Sequence, residues 1–210
     1  MRNWSVRLLL AVLLACSSSV FAQEFSADFV NLKKADDSNV TRIYVGKDRM
    51  RFEPKKEHMS GAMIMDFSQQ KYYILMPERK MYMESSENMD QMHRGVNFFR
   101  PTDVNNACPD WQRMAEKNNK IATCHKVGTE SVNGRSAVKY EGTSDDGKKG
   151  TVWLDSKLRF ILKWKGDDDE GGELRNIQEG SQPATLFEIP SDYQKFDMNG
   201  MMQHRMQKPH

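Results

Sequence analysis

The chain has 210 residues, and 31 Lys and Arg nearly balance 29 Asp and Glu, for a formal charge of +2. Such a surface lacks the basic stripe that nucleic acid demands, so no nucleic-acid partner is expected. The length admits one domain with one real core.

The start of the chain reads as an export signal. Arg2 and Arg7 make a positive beginning, and Leu8 to Ala15 is an apolar run too short to anchor in a bilayer. Val20 and Ala22 suit cleavage after Ala22, which gives a periplasmic protein. A rival cut exists. "LLAC", Leu13 to Cys16, resembles the lipobox of bacterial lipoproteins, in which Cys16 would carry the lipid anchor. Losing residues 1–22 removes two arginines and no acid, so the formal charge falls from +2 to 0. No later apolar run reaches spanning length, so no transmembrane segment is expected in the mature chain. Residues 23–196 are expected to form a single half-barrel domain with a helical insert at about 86–120. Residues 197–210 are expected to be a disordered tail.

Strand signals follow in close order. Phe25, Ala27 and Phe29 alternate with polar residues. "NVTRIYV" and "RMRFE" flank a turn at Gly46-Lys47-Asp48. "AMIMDF" and "KYYILM" flank Ser68-Gln69-Gln70, and "KMYME" resumes extended structure after Pro77. "VGTESV" and "RSAVKYEG" flank Asn133-Gly134, the strongest hairpin signal in the chain. "GTVWLD", "LRFILKWKG", "ELRNIQ" and "TLFEI" complete about eleven strands. Tight turns between them call for an antiparallel sheet.

Two short helices interrupt this pattern. "SSENMDQMHRG" has Ser86 as an N-cap and Met89, Met92 and His93 on one face. "CPDWQRMAEKNNK" has Pro109 at a helix start and Trp111, Met114 and Ala115 on one face. An exported chain meets an oxidising compartment, so Cys108 and Cys124 are expected to form a disulfide.

Several strands are apolar on both faces. Met63, Met65 and Phe67 oppose Ala62 and Ile64, and Met81 and Met83 oppose Tyr82. A sheet with one wet face would alternate. Two short helices are too little cover for so many strands. A curved sheet around an apolar hollow fits better, lined by Met63, Met65, Phe67, Met81, Met83, Trp153 and Phe160. Methionine suits such a lining because it is unbranched and polarisable.

No G-x-S-x-G, H-E-x-x-H, Walker loop, dinucleotide fingerprint or Cys-x-x-Cys is present, so no enzyme, no catalytic residue and no organic cofactor is expected. The alternative chemistry is Cu(I). Met198, Met201, Met202, His204 and Met206 crowd the tail, and thioethers with imidazole suit reduced copper.

"TRIYVGKDRMRFE", "MIMDFSQQKYYILMPERKMYME", "GTVWLDSKLRFILKW" and "TLFEIPSDYQKF" together resemble an uncharacterised exported bacterial family. That family is distantly similar to the periplasmic lipoprotein carriers and receptors of the Lol superfamily. The resemblance implies a mainly β (α+β) fold, in which a curved antiparallel sheet forms an unclosed β-barrel with two short helices across its mouth. It implies an apolar ligand or lipid, or another envelope protein bound by a sensor. No functional residue carries over from the carriers, and the cysteine-bracketed insert departs from them.

Overall fold

The computed structural model describes residues 24–34, 40–55, 61–85, 100–167 and 170–196. Among these residues, twelve strands form one sheet. The first half holds β1 (Phe25–Asn31), β2 (Val40–Val45), β3 (Arg49–Pro54), β4 (Ala62–Asp66), β5 (Lys71–Met76) and β6 (Met81–Ser85). Helix α1 (Cys108–Lys117) precedes β7 (Ala122–Val132), β8 (Arg135–Ser144), β9 (Lys149–Asp155), β10 (Phe160–Gly166) and β11 (Gly171–Glu179). The last strand is β12 (Gln194–Lys195). The order is β12-β6-β5-β4-β3-β2-β1-β11-β10-β9-β8-β7. Strands that are neighbours in both chain and sheet pair antiparallel, as does β1 with β11, whereas β12 runs parallel to β6. The fold is mainly β, as expected, and the sheet does not close on itself.

The sheet curls. Phe67 follows β4 and Phe160 opens β10, five strand spacings apart in the order, which would be about 24 Å across a flat sheet. Yet the Arg100 guanidinium carbon lies 6.0 Å from one ring centre and 5.7 Å from the other. Their centres are therefore no more than about 12 Å apart. Bulges help bend the strands. One interrupts the β1–β11 register, where Asn176 takes a positive φ of 51°, and another separates Ile161 from Lys163.

The inner face holds the main core. Phe25, Ala27, Ile43, Val45, Met50, Met65, Phe160 and Leu162 form one cluster drawn from both halves of the sheet. Phe25 meets Phe160 edge to face at 5.3 Å.

Among the described residues, the outer face has two separate covers. Over β2 to β6, Tyr44, Ile64, Tyr73, Leu75 and Tyr82 pack under Leu186, Phe187, Ile189 and Tyr193. "TLFEI" was expected as a strand, but Ala184–Phe187 is a 3-10 turn. Pro183 leads into it, and its apolar side chains are used on the sheet's surface. Arg51 donates to the Leu186 carbonyl at 2.9 Å and fixes it there. This strap supplies the cover that two helices could not, so apolarity on both faces has a second cause besides a hollow.

Helix α1 backs β7 to β9. Trp111 and Met114 pack with Val138, Tyr140, Val152 and Leu154. Ala137 and Trp153 alternate with these residues and join the inner core. The helix is thus seated on the outer face rather than across the mouth. The other expected helix, Ser86 to His93, lies outside the described residues. The Tyr140 hydroxyl donates to the Val104 carbonyl at 2.8 Å and accepts from Ala107 N–H at 3.3 Å, which fastens the chain entering α1. The disulfide Cys108–Cys124 then ties α1 to β7, with a Cα–Cα distance of 5.4 Å.

Glycine makes the seat for Trp111. A Cβ on Gly142 would lie 2.5 Å from the Thr123 carbonyl oxygen and 3.0 Å from the Trp111 ring. Gly142→Ala is therefore expected to cost about 1–3 kcal/mol through overpacking. Urea unfolding of the variant checks this, and an unchanged midpoint would show that both β7 and α1 shift freely.

Candidate ligand-binding face

Strand register decides which side chains share the inner face. Phe52 pairs with Met63, Met63 with Ile74, and Ile74 with Met83. Met50 pairs with Met65, and Met65 with Tyr72. Met76 pairs with Met81. All of these lie on the inner side.

Burial falls off along that face. Met50 and Met65 are 0% and 1% exposed. Tyr72, Ile74 and Met76 on β5, and Met81 and Met83 on β6, are only half-buried, as is Met63. The strap and α1 both lie on the other side of the sheet. Among the described residues, these two covers therefore leave a methionine-rich apolar stripe on the inner face of β4 to β6.

The residues expected to line a hollow separate into two groups. Met65, Trp153 and Phe160 are buried members of the inner core. Met63 and Phe67 pack partly buried against it. Met81 and Met83 continue the half-buried stripe on β6. Trp153 is also tied down by polar contacts. Its indole N–H donates to Glu130 at 2.8 Å, and the ammonium groups of Lys139 and Lys163 each lie 5.5 Å from its ring.

Arg100 stands at one end of this face, between the Phe67 and Phe160 rings. Two similar hairpin turns set those rings. In the β4–β5 turn, Asp66 accepts from Ser68 Oγ at 2.6 Å and Gln69 N–H at 2.9 Å, and pairs with Arg49 at 2.9 Å. In the β9–β10 turn, Asp155 accepts from Lys157 and Leu158 N–H groups, both at 2.8 Å, and pairs with Arg135. The sequences "MDFSQQKYY" and "LDSKLRFIL" both place the aspartate where a turn needs an acceptor.

Burial pulls the Arg100 pKa below its ordinary value. No carboxylate among the described residues forms an ion pair with it, nor with Arg79 or Arg159, whereas Arg42, Arg49, Arg51, Arg113, Arg135 and Arg175 each have one. The sequence held no signal for Arg100, a lone arginine after two phenylalanines. Tyr72, Ile74 and Met76 were legible as one face of a strand.

Burial pushes the Asp66 carboxyl up, but hydrogen bonds from Ser68 and Gln69 and the Arg49 charge outweigh it. The net pKa lies below the ordinary aspartate value of 3.8. The stabilisation this gives is present above the unfolded value and is lost as pH falls through the folded one. Asp66→Asn is therefore expected to be less stable than wild type at neutral pH, by about 1–3 kcal/mol. The gap should narrow as pH drops below about 4. Urea melts at pH 7 and pH 3 check this; a constant gap would contradict it.

The copper candidates Met198, Met201, Met202, His204 and Met206 lie outside the described residues. Among the described residues, no three His, Cys, Asp or Glu side chains converge as a cation site. No described helix is long and apolar enough to cross a membrane.

No family model matches the chain, and no curated protein matches it. Solved structures do. An uncharacterised conserved protein from Thermus thermophilus is similar at 10% identity and TM-score 0.53, over 83% of this chain and 90% of its own. The Pseudomonas aeruginosa MucA/MucB complex contains a chain similar at 14% identity and TM-score 0.48. That match covers 81% of this chain and 56% of the other, little more than half its length. A Vibrio parahaemolyticus domain assigned to outer membrane lipoprotein sorting is similar at 12% identity and TM-score 0.34, over 80% and 90% of the two chains. The Thermus thermophilus protein shares the fold; the other two are too distant to support a functional statement.

Proposed function

We propose that the mature chain is a non-enzymatic binding protein of the bacterial envelope that holds a lipid, acyl chain or other apolar ligand. The ligand lies on the inner face of β4 to β6. Met63, Phe67, Met81 and Met83 touch it, together with Tyr72, Ile74 and Met76, while Met65, Trp153 and Phe160 form the packed floor behind them.

One observation carries this reading. The inner face is buried under its own curl near β1 to β3 and at Met65, yet among the described residues remains half-buried and apolar at Met63 and over β5 and β6. Contiguous accessible apolar surface of this kind can line a ligand-binding groove. Methionine lets it fit chains of varied shape. Export places the protein in the periplasm, or on a membrane through Cys16 if the lipobox is used.

Titration of the purified chain 23–210 with a fluorescent fatty acid tests the proposal. Saturable, displaceable binding is expected. Absence of binding, with the fold intact by circular dichroism, would sink it.

A further inference from the structure

We infer that Arg100 is the head-group anchor of this site, selecting amphiphiles with an anionic carboxylate or phosphate head over uncharged ones of equal length. The inference rests on the binding function proposed above and adds the chemistry of the ligand's polar end.

Arg100 is placed for the task. Its guanidinium carbon lies 6.0 Å from the Phe67 ring centre and 5.7 Å from that of Phe160, rings contributed by the two hairpins that the curl brings together. The two ring contacts hold the cation in place, and guanidinium N–H groups match a carboxylate or phosphate. Burial disfavours its charge, and no carboxylate among the described residues compensates. A partly desolvated cation of this kind gains most from an anion that arrives with the ligand.

The apolar stripe leads away from it. Phe67 lies four residues along the chain from Met63, about 13 Å in extended structure, or roughly ten carbons of an acyl chain. Met65 between them is buried, so the path runs beside it, over Tyr72 and Ile74 of β5 towards Met83. A head at Arg100 thus puts a tail along the methionines. The path runs from charge to grease, as an amphiphile does.

Competition against a bound fluorescent probe tests this with dodecanoate, dodecyl phosphate and dodecanol, on wild type, Arg100→Gln and Arg100→Lys. A charge-assisted hydrogen bond predicts that wild type prefers an anionic probe to dodecanol roughly tenfold or more. Arg100→Gln should erase that preference and leave dodecanol affinity within about twofold, and Arg100→Lys should restore part of it. Preference for one anion over the other identifies the head group. Equal affinity of wild type for all three probes would overturn the inference while leaving the binding function standing. So would equal loss of all three in a folded Arg100→Gln. Failure of every probe to bind wild type would remove both.

Discussion

Replacing Met83 with aspartate is expected to abolish binding of an apolar ligand while leaving the protein folded. Met83 lies on β6, next to the two-residue edge strand β12, and is half-buried. In the free protein a carboxylate there can stay hydrated, so its cost to stability is small. Against a bound acyl chain it would be stripped of water with no partner. That costs about 3 kcal/mol or more, and so roughly a hundredfold or more in affinity. Met65→Asp does not serve the same purpose. Met65 is 1% exposed in the inner core, and a charge there would unfold the protein before it reported on binding. Probe titration of Met83→Asp checks the first point, and a thermal melt checks the second. Full affinity in the Met83 variant would place the ligand elsewhere.

Removing the disulfide is expected to have the largest effect on stability. Cys108 and Cys124 are 16 residues apart, and a loop of that size predicts about 3 kcal/mol from the unfolded chain's lost freedom. The bridge matters more here because α1 has no fully buried residue. It is held by Trp111 and Met114 on a glycine-floored patch and by the bond to β7. Cys108→Ser with Cys124→Ser should therefore lower the urea midpoint and raise hydrogen exchange in α1 before the rest of the sheet. A loss below about 0.5 kcal/mol would mean that the packing of Trp111 alone seats the helix.

Much of this fold was legible in the sequence, for definite reasons. Hairpin turns announce themselves locally: Asn133 and Gly134 take positive φ values of 50° and 76°, which that pair of residues adopts readily. Helix α1 was visible through Pro109 and the Trp111–Met114 face. The disulfide needed only the compartment and the two remaining cysteines. The misreading of "TLFEI" has a physical source. Its alternation suits a strand, but the segment lies across the sheet's outer face, and no local rule reports which surface will receive it. Lining residues were legible only as faces of strands. Register placed Met63, Met81 and Met83 together, yet the burial of Met65, Trp153 and Phe160 depends on the curl, a property of the whole sheet. Arg100 could not be found from sequence at all. Its meaning comes from Phe67 and Phe160, which stand far apart in the chain and flank it only in three dimensions.

Native mass spectrometry of the mature protein, gently purified from the envelope fraction, tests the central claim most directly. It reports bound lipid, bound copper and the state of the N-terminus in one spectrum. The expected result is a population carrying a single apolar or amphiphilic molecule, absent from Met83→Asp prepared in the same way. A protein that carries no lipid, takes up none when offered, and instead holds Cu(I) that is lost with residues 198–210 would contradict it.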